Sequence, residues 1–509
     1  MSPIDWLNVL DVKRAVANCR TDIFGDWYRD PWAWPELEWL GDHPDPVVQR
    51  LNATGVRRIA PLNVAKENFI LRPATVLDIV DRLTYQALID RLSVKLLSGT
   101  PDWMYSWRLS REGPVAGRYS SQKLEWSFYR DRLTNLSAGY SAALSTDIVS
   151  FFASIPSEHL ASTIEQRAGK GAVTERLADM IRSWGAVVGR SGLPQRACGS
   201  SVLANLYLRP VDDLLHEFGL ADDSWFAGWE QGAASRWLDD IWLFSDHPGR
   251  LRDAQVSLQQ CMQDLGLHMN AGKTKLLEGD DVVEEARNIE HSAVDVGLGV
   301  DPPDTELLSQ LVDRILEHPE QAAQTSIRFA THRLKDHELP GVVDRFIEAA
   351  PRMPQGAPHL SRLFRHTGSW QQLPAWFAEY VKSDWNVIAW SVAQLGTMFP
   401  GQWHAPAESR DLMAGFLTPG QEISLFALGA QRIATWAPAS ARSLFRDLAP
   451  KLADPHLRRV LALAALNAGE EVVWVQKVLG EFEENRPTLQ FLTHRKFAAV
   501  NPIADFQGA

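Results

Sequence analysis

Cysteine is scarce in this sequence: Cys19, Cys198 and Cys261 are the only three, far apart and without paired metal-ligand spacing. That argues against a disulfide scaffold and a cysteine-based zinc site, and it suits a reducing cytoplasm. Long apolar runs are also missing. No stretch approaches the roughly 20 apolar residues that span a bilayer, and the opening MSPIDWLNVLDVKR lacks a basic flank followed by an apolar signal core. No membrane partner is expected, and the cytoplasm is the expected location. Nor is there an excess of positive charge: 51 Lys and Arg stand against 63 Asp and Glu, a formal net charge of −12. Polyanion binding by the whole surface is therefore not expected, and any nucleic-acid contact has to be local.

What is present suits a folded protein. Apolar residues make up 45% and charged residues 22% of 509, a chain too long for one ordinary core, so two or three domains are expected. Tryptophan is abundant, at 20, and is read as packing and helix docking rather than base stacking. Between residues 55 and 95, a short strand FILR breaks at Pro73 and leads into a helix with Leu77, Val80, Leu83, Ala87, Leu88 and Leu92 on one face. From about 100 to 300, short strands, Gly/Pro turns and helices alternate, the pattern of a mixed α/β region. After Asp301-Pro302-Pro303 the periodicity turns almost wholly helical, as in TELLSQLVDRILEH and LRRVLALAALNAG, in units broken by Pro or Gly. Paired helices stacking on their neighbours produce such a pattern, so an irregular helical solenoid or bundle is expected there.

Four Asp-Asp pairs occur, and context separates them. Asp212-Asp213 in VDDLLHEF reads as the wet face of an amphipathic helix, and Asp222-Asp223 and Asp280-Asp281 read as loop. Only Asp239-Asp240, in SRWLDDIWLFSD, is flanked on both sides by bulky strand formers, which predicts two buried strands meeting at a tight turn with the acids at its tip. A carboxylate beside a packed sheet is costly to desolvate unless it is paired or binds a metal, although a surface hairpin with a charged turn fits this stretch equally well.

Three further pieces share this region. In LSTDIVSFFASIP, Asp147 either closes a strand or caps the following helix. SGLPQRACGSSVLANLYL combines a Gly192/Pro194 turn with a helix whose polar side carries Ser200, Ser201 and Asn205. The small residues at its start either admit a ligand to the backbone or allow a close helix-to-sheet contact. LGLHMNAGKTKLL supplies Asn270, Lys273 and Lys275.

In this order, with LRPATVLDIVDRLTYQAL upstream as the fingers segment, these pieces resemble the reverse transcriptases, polymerases with a right-hand palm. The resemblance implies an α+β fingers and palm domain over 56–300, after an N-terminal extension at 1–55. An all-α helical-repeat, HEAT-like domain over 301–509 would replace the thumb. It implies nucleotidyl transfer from dNTPs with two Mg²⁺ ions, Mn²⁺ being the alternative, held by Asp147, Asp239 and Asp240. Phe152 would crowd a ribose 2′ hydroxyl and Gln195 would touch the incoming nucleotide. Arg72 and Lys66 would hold the triphosphate, Lys273 would protonate pyrophosphate, and Arg82 would contact substrate or form a helix salt bridge.

There are departures. Arg196 stands where the family usually has Gly, to fill template space or bind phosphate, and Trp237 stands for the usual Tyr. No clear thumb, ribonuclease H or integrase-like acid cluster is visible.

A helical array directly after the palm resembles the bacterial abortive-infection and other defence-associated reverse transcriptases. That implies phage defence, a homo-oligomer and, in some members, untemplated DNA synthesis primed by a protein hydroxyl, with the DNA product covalently attached. Tyr28 in GDWYRDPW is the accessible-looking hydroxyl, with helix packing as its alternative role. The competing readings are a template-dependent enzyme copying a non-coding RNA, and a catalytically idle scaffold or sensor of a phage protein.

Overall fold

A computed structural model of the chain describes residues 4–23, 25–53, 59–185, 192–220, 233–287, 289–300, 302–367 and 372–504. Asp222-Asp223 lies outside the described residues. The chain forms two compact units: Met1–Gly25, Pro44–Val56 and Val80–Ser292 make the first, and Asp26–His43, Arg57–Ile79 and Ala293–Ala509 the second. Strands and helices are mixed. The strands among the described residues are β1 (Ala60–Ala65), β2 (Leu71–Val76), β3 (Ala142–Thr146), β4 (Ala234–Trp237), β5 (Asp240–Ser245) and β6 (Lys275–Glu278).

The first unit is built on an antiparallel sheet of order β4-β5-β3-β6. Side chains alternate across a strand, so the register decides what each face buries. Ala143 pairs with Phe244 and with Leu277. That face, with Trp242, packs on Tyr129, Leu133 and Leu136 of helix Gln122–Gly139 and on Val282 and Ala286 of helix Asp280–Arg287. Against the sheet also pack helices Pro248–Asp264 and Arg209–Leu220. The sheet is covered by helices on apolar surface, which holds the ends of β3, β4 and β5 rigid.

The second unit contains the β1–β2 hairpin and, among its described residues from 293 onward, helices without strands. Helix Glu306–Glu317 buries Leu308, Leu311, Val312 and Ile315, a one-sided stripe. Helices Ile423–Trp436 and Pro455–Asn467 are buried almost all round and pack on each other, forming the middle of the unit. Arg459 ties the segment Asp26–His43 to this middle. Its Nε and Nη2 donate to the Glu36 carboxylate at 2.9 and 3.0 Å, and its Nη1 donates to Asp30 at 2.5 Å.

Three local expectations are corrected. The strand at 69–72 does not break at Pro73: β2 runs through it, Pro73 pairing with Asn63 in a two-stranded hairpin whose outer edge needs no N–H donor. Asp280-Asp281 is not loop but the first turn of helix Asp280–Arg287, where acids complement the helix dipole. Of Asp212-Asp213, only Asp213 is on the wet face; Asp212 is 1% exposed.

Candidate active site

The site is assembled where β3 ends and where β4 turns into β5. Trp237 pairs with Asp240, leaving Leu238 and Asp239 as a two-residue turn. A two-residue hairpin of this kind calls for positive φ, and Leu238 supplies it at 54°. A branched side chain there is strained, by about 1–3 kcal/mol, and strain of this sort persists where surrounding structure dictates it. Asp147 directly follows β3. It does not cap a helix: the next helix begins at Phe151 and is capped by Ser150 in the left-handed conformation.

The segment 268–275 is laced to Asp147. The Asn270 N–H donates to the Asp147 carbonyl at 2.8 Å, Met269 bridges Ile148, and the Thr146 and Thr274 hydroxyls meet at 2.7 Å. Lys273 Nζ thereby reaches Asp147 Oδ2 in a short charged hydrogen bond.

Asp147 and Asp239, 92 positions apart in sequence, lie within hydrogen-bonding reach of each other. Burial, then the charges of Asp147 and Asp240, push the Asp239 carboxyl well above the ordinary range. Asp240, exposed as a residue, is pushed up to about 6 by the burial of its carboxyl among dense protein and by Asp147, against a pull from Lys273. Desolvation draws the Lys273 ammonium down, but the bond to Asp147 and the charges of Asp240 and Asp239 hold it above its ordinary value.

Repelling carboxylates with a lysine ammonium seated on one of them form a site that favours cations. Their hard oxygens suit Mg²⁺, which keeps waters and substrate phosphates in its shell. Among the described residues no group of three or more His, Cys, Asp or Glu is preformed as a metal cage. The donor set fits a metal completed by substrate, with Asp147 and Asp239 as the convergent pair.

Beneath the turn lies a network that sequence reasoning missed. Arg236, wholly buried on β4, binds both oxygens of Asp212 and also donates to Asn205 Oδ1 at 3.1 Å and to the Leu238 carbonyl at 2.9 Å. A cation inside the apolar run SRWLDD was the available signal, since a buried charge requires a partner. Trp237 packs edge-on against Trp126 of helix Gln122–Gly139 at 5.0 Å between ring centroids.

The remaining predicted residues divide. Phe152 is half-buried, and its carbonyl accepts from Leu193 N at 2.7 Å. A Cβ on Gly192 would lie 2.0 Å from that same oxygen, and Gly192 has φ +72°, so glycine is required to seat the Leu193-Pro194-Gln195 segment on the Phe152 turn. Gln195 is buried. Arg196 is exposed with φ 61°, a left-handed backbone at the position where the resembled pattern has glycine. Helix Cys198–Tyr207 has no polar side: all ten residues are buried, Asn205 Nδ2 donates to Ser106 O at 2.6 Å, and Ser200 meets the Tyr85 hydroxyl at 3.1 Å. Its small start serves packing, since a Cβ on Gly199 would sit 2.6 Å from Ile89.

Arg82 is buried on helix Ile79–Leu96, and the neighbouring Asp81 pairs with Arg50. Lys66, Arg72 and Tyr28 belong to the second unit. Arg72 lies over the Trp27 ring at 4.8 Å. Tyr28 is not accessible: it is 1% exposed, and its hydroxyl donates to Asp30 at 3.4 Å.

A family model described as reverse transcriptase (RNA-dependent DNA polymerase) matches residues 64–329, more than half of the chain. No curated protein sequence matches it. Among solved structures the chain is similar to telomerase from Candida albicans in complex with a TWJ fragment of telomeric RNA. The two share 13% identity, with 90% of this chain and 70% of that chain covered and a TM-score of 0.27.

Proposed function

The chain belongs to the reverse transcriptase family, RNA-directed DNA polymerases that join nucleotides into DNA, and from that premise we propose which residues carry the transfer and in what setting. Asp147 and Asp239 hold the cations and Asp240 assists from the start of β5. The observation that carries this reading is the approach of Asp147 to Asp239 from distant segments, beside Lys273.

Polymerases of this family use divalent ions, and we take Mg²⁺ as the ion and Mn²⁺ as its substitute. Two such ions, when bound, would lower the pKa of the attacking 3′ hydroxyl and offset charge on the departing pyrophosphate. The protein's own groups do the rest. Lys273, paired with Asp147, would give its proton to pyrophosphate. Phe152 crowds the 2′ position of the sugar and Gln195 lines the nucleotide site. Arg82 supports its helix, and Arg196 contacts phosphate.

For biological setting we favour a phage-defence enzyme of the abortive-infection kind. On this reading it is cytoplasmic and homo-oligomeric, and its C-terminal helices form a HEAT-like array. The helix-only stretch from 293 onward among the described residues supports that architecture, and no described helix is long and apolar enough to cross a membrane. Synthesis without template, primed by a protein hydroxyl, follows from the same reading. The burial of Tyr28 makes another hydroxyl the better primer unless its segment opens.

The purified chain incubated with each labelled dNTP and Mg²⁺ tests this. Random or homopolymeric DNA that shifts on protease treatment supports untemplated, protein-primed synthesis. A copurifying RNA whose removal by ribonuclease stops synthesis supports the templated alternative. Absence of incorporation under all conditions supports the idle scaffold.

A further inference from the structure

The sheet face that carries Asp240 also carries an aromatic cluster that reaches water. Paired residues of neighbouring antiparallel strands point to the same side, as do alternate residues along one strand. Trp237 pairs with Asp240, so both stand on the side that holds Trp242 and Phe244. Helix Gln122–Gly139 packs on that side. Its Trp126 meets Trp237 edge-on at 5.0 Å and Tyr129 at 5.4 Å between ring centroids, and Tyr129 meets Trp237 at 5.8 Å. Trp237 precedes Asp239 by two residues, at most about 7 Å of chain.

One ring of the three stays largely in water. Tyr129 is buried and Trp237 half-buried, but Trp126 is 46% exposed. At about 3.6 residues per turn, Lys123 and Arg130 fall on the same side of the helix as Trp126. Lys123 is exposed, and Arg130 is half-buried and donates to the carbonyls of Ala286 and Arg287 at 3.1 and 2.6 Å. One side of the helix thus presents a cation, an indole and a second cation, on a chain that is acidic as a whole.

An unpaired nucleic-acid strand takes these two kinds of contact, ring surface for its bases and cations for its phosphates. Every base has a π-face, so such stacking asks for no particular sequence. Position selects the strand. Nucleotidyl transfer requires the growing 3′ end at Asp147 and Asp239, and the nucleotides behind it, about 3.4 Å apart when stacked, must leave over the surface around the turn. In synthesis without template those nucleotides have no complement to pair with, which leaves their bases available to the protein.

We propose that Trp126, flanked by Lys123 and Arg130, is a stacking platform for unpaired bases of the growing strand, a few nucleotides behind its 3′ end. The identity of the strand rests on the polymerase reading, but the binding itself requires no catalysis.

Binding is measured on the full chain in chelator, where no turnover occurs, with a labelled single-stranded oligodeoxynucleotide of mixed sequence and with a wholly abasic strand of the same length. Trp126→Ala should weaken binding of the complete strand about tenfold, the scale of one lost base–aromatic stack, and leave its salt dependence unchanged. The abasic strand should bind both chains alike, and Trp126→Tyr should keep most of the affinity. Lys123→Gln should instead flatten the logarithmic salt dependence by about 1. Leu124→Ala, at an exposed apolar position on the opposite side of the helix, should change neither. With dNTPs and Mg²⁺, Trp126→Ala should make products severalfold shorter.

A Trp126→Ala chain that melts as the unmodified protein does and binds the complete strand as tightly overturns the proposal. If that variant fails to fold, unchanged affinity and salt dependence in Lys123→Gln overturn it. A change of oligomeric state in Trp126→Ala with strand binding intact makes this face a contact between copies and overturns it as well. The Asp239→Ala chain, tested in parallel, should lose incorporation and keep strand binding, so failure of the catalytic reading and failure of the platform are read separately.

Discussion

Arg236 grips Asp212 with both arms of its guanidinium, Nε to Oδ1 at 2.7 Å and Nη2 to Oδ2 at 2.9 Å, and uses the remaining nitrogen to hold the carbonyl of Leu238 at 2.9 Å. Desolvation raises the Asp212 carboxyl and Arg236 draws it back, so the pair stays charged only because it is a pair. Removing one partner leaves an uncompensated buried charge. Asp212→Ala should therefore cost about 3–5 kcal/mol in urea unfolding. Asp212→Leu combined with Arg236→Met should recover most of that loss, yet leave the turn bearing Asp239 untethered. The double variant is then expected to fold with a lower kcat and a little-changed KM; full activity would show that the tether is unnecessary.

The second prediction concerns backbone strain. Arg196 sits at φ 61°, where glycine meets no penalty and other residues lose about 1–2 kcal/mol. Arg196→Gly should raise the thermal midpoint by releasing that strain. If the guanidinium contacts phosphate as proposed, the same variant raises KM for dNTPs. Higher stability with unchanged KM assigns the side chain no part in substrate binding.

The carboxylate cluster predicts a pH dependence for the metal-free protein. Asp240 titrates at about 6 in the folded chain, above the unfolded value of about 3.9. The folded state thus holds its proton longer than the unfolded state, so this contribution to stability is full below about pH 3.9 and is lost as pH rises through about 6. In chelator, Asp240→Asn should melt higher than the unmodified protein at pH 7.5 and at the same temperature near pH 4. Mg²⁺ should close the gap at pH 7.5. An advantage that persists unchanged at low pH contradicts the repulsion.

Much of the site's frame is legible in the sequence. SRWLDDIWLFSD places strand formers on either side of two acids, and the backbone makes the hairpin that this spacing requires. What stays hidden depends on tertiary packing. Helical periodicity assigns Asp212-Asp213 to a polar face but does not separate the member that turns inward to meet a β4 arginine. Ser200 and Asn205 look like a wet face because their partners, Tyr85 and Ser106, lie far away in sequence. Positive φ at Leu238 and Arg196 leaves no mark, because both residue types ordinarily avoid it. The shared unit of Asp26–His43, Arg57–Ile79 and the C-terminal helices arises from pairings such as Arg459 with Glu36, which no local pattern encodes.

Sugar choice gives a fourth test. The Leu193 N–H on the Phe152 carbonyl fixes the backbone from which the ring projects. Phe152→Ala should raise the use of ribonucleotides relative to deoxynucleotides by about tenfold or more, the scale expected when a steric block is removed. An unchanged ratio in competition assays removes Phe152 from sugar selection.

The most direct test of the account is nucleotide incorporation by the Asp239→Ala chain in Mg²⁺, alongside the unmodified protein and after confirming that both melt cooperatively. Incorporation by the unmodified chain and its loss, by roughly a thousandfold or more, in the variant is the predicted result. Equal incorporation by the two would contradict the assignment of the paired carboxylates as the seat of the chemistry.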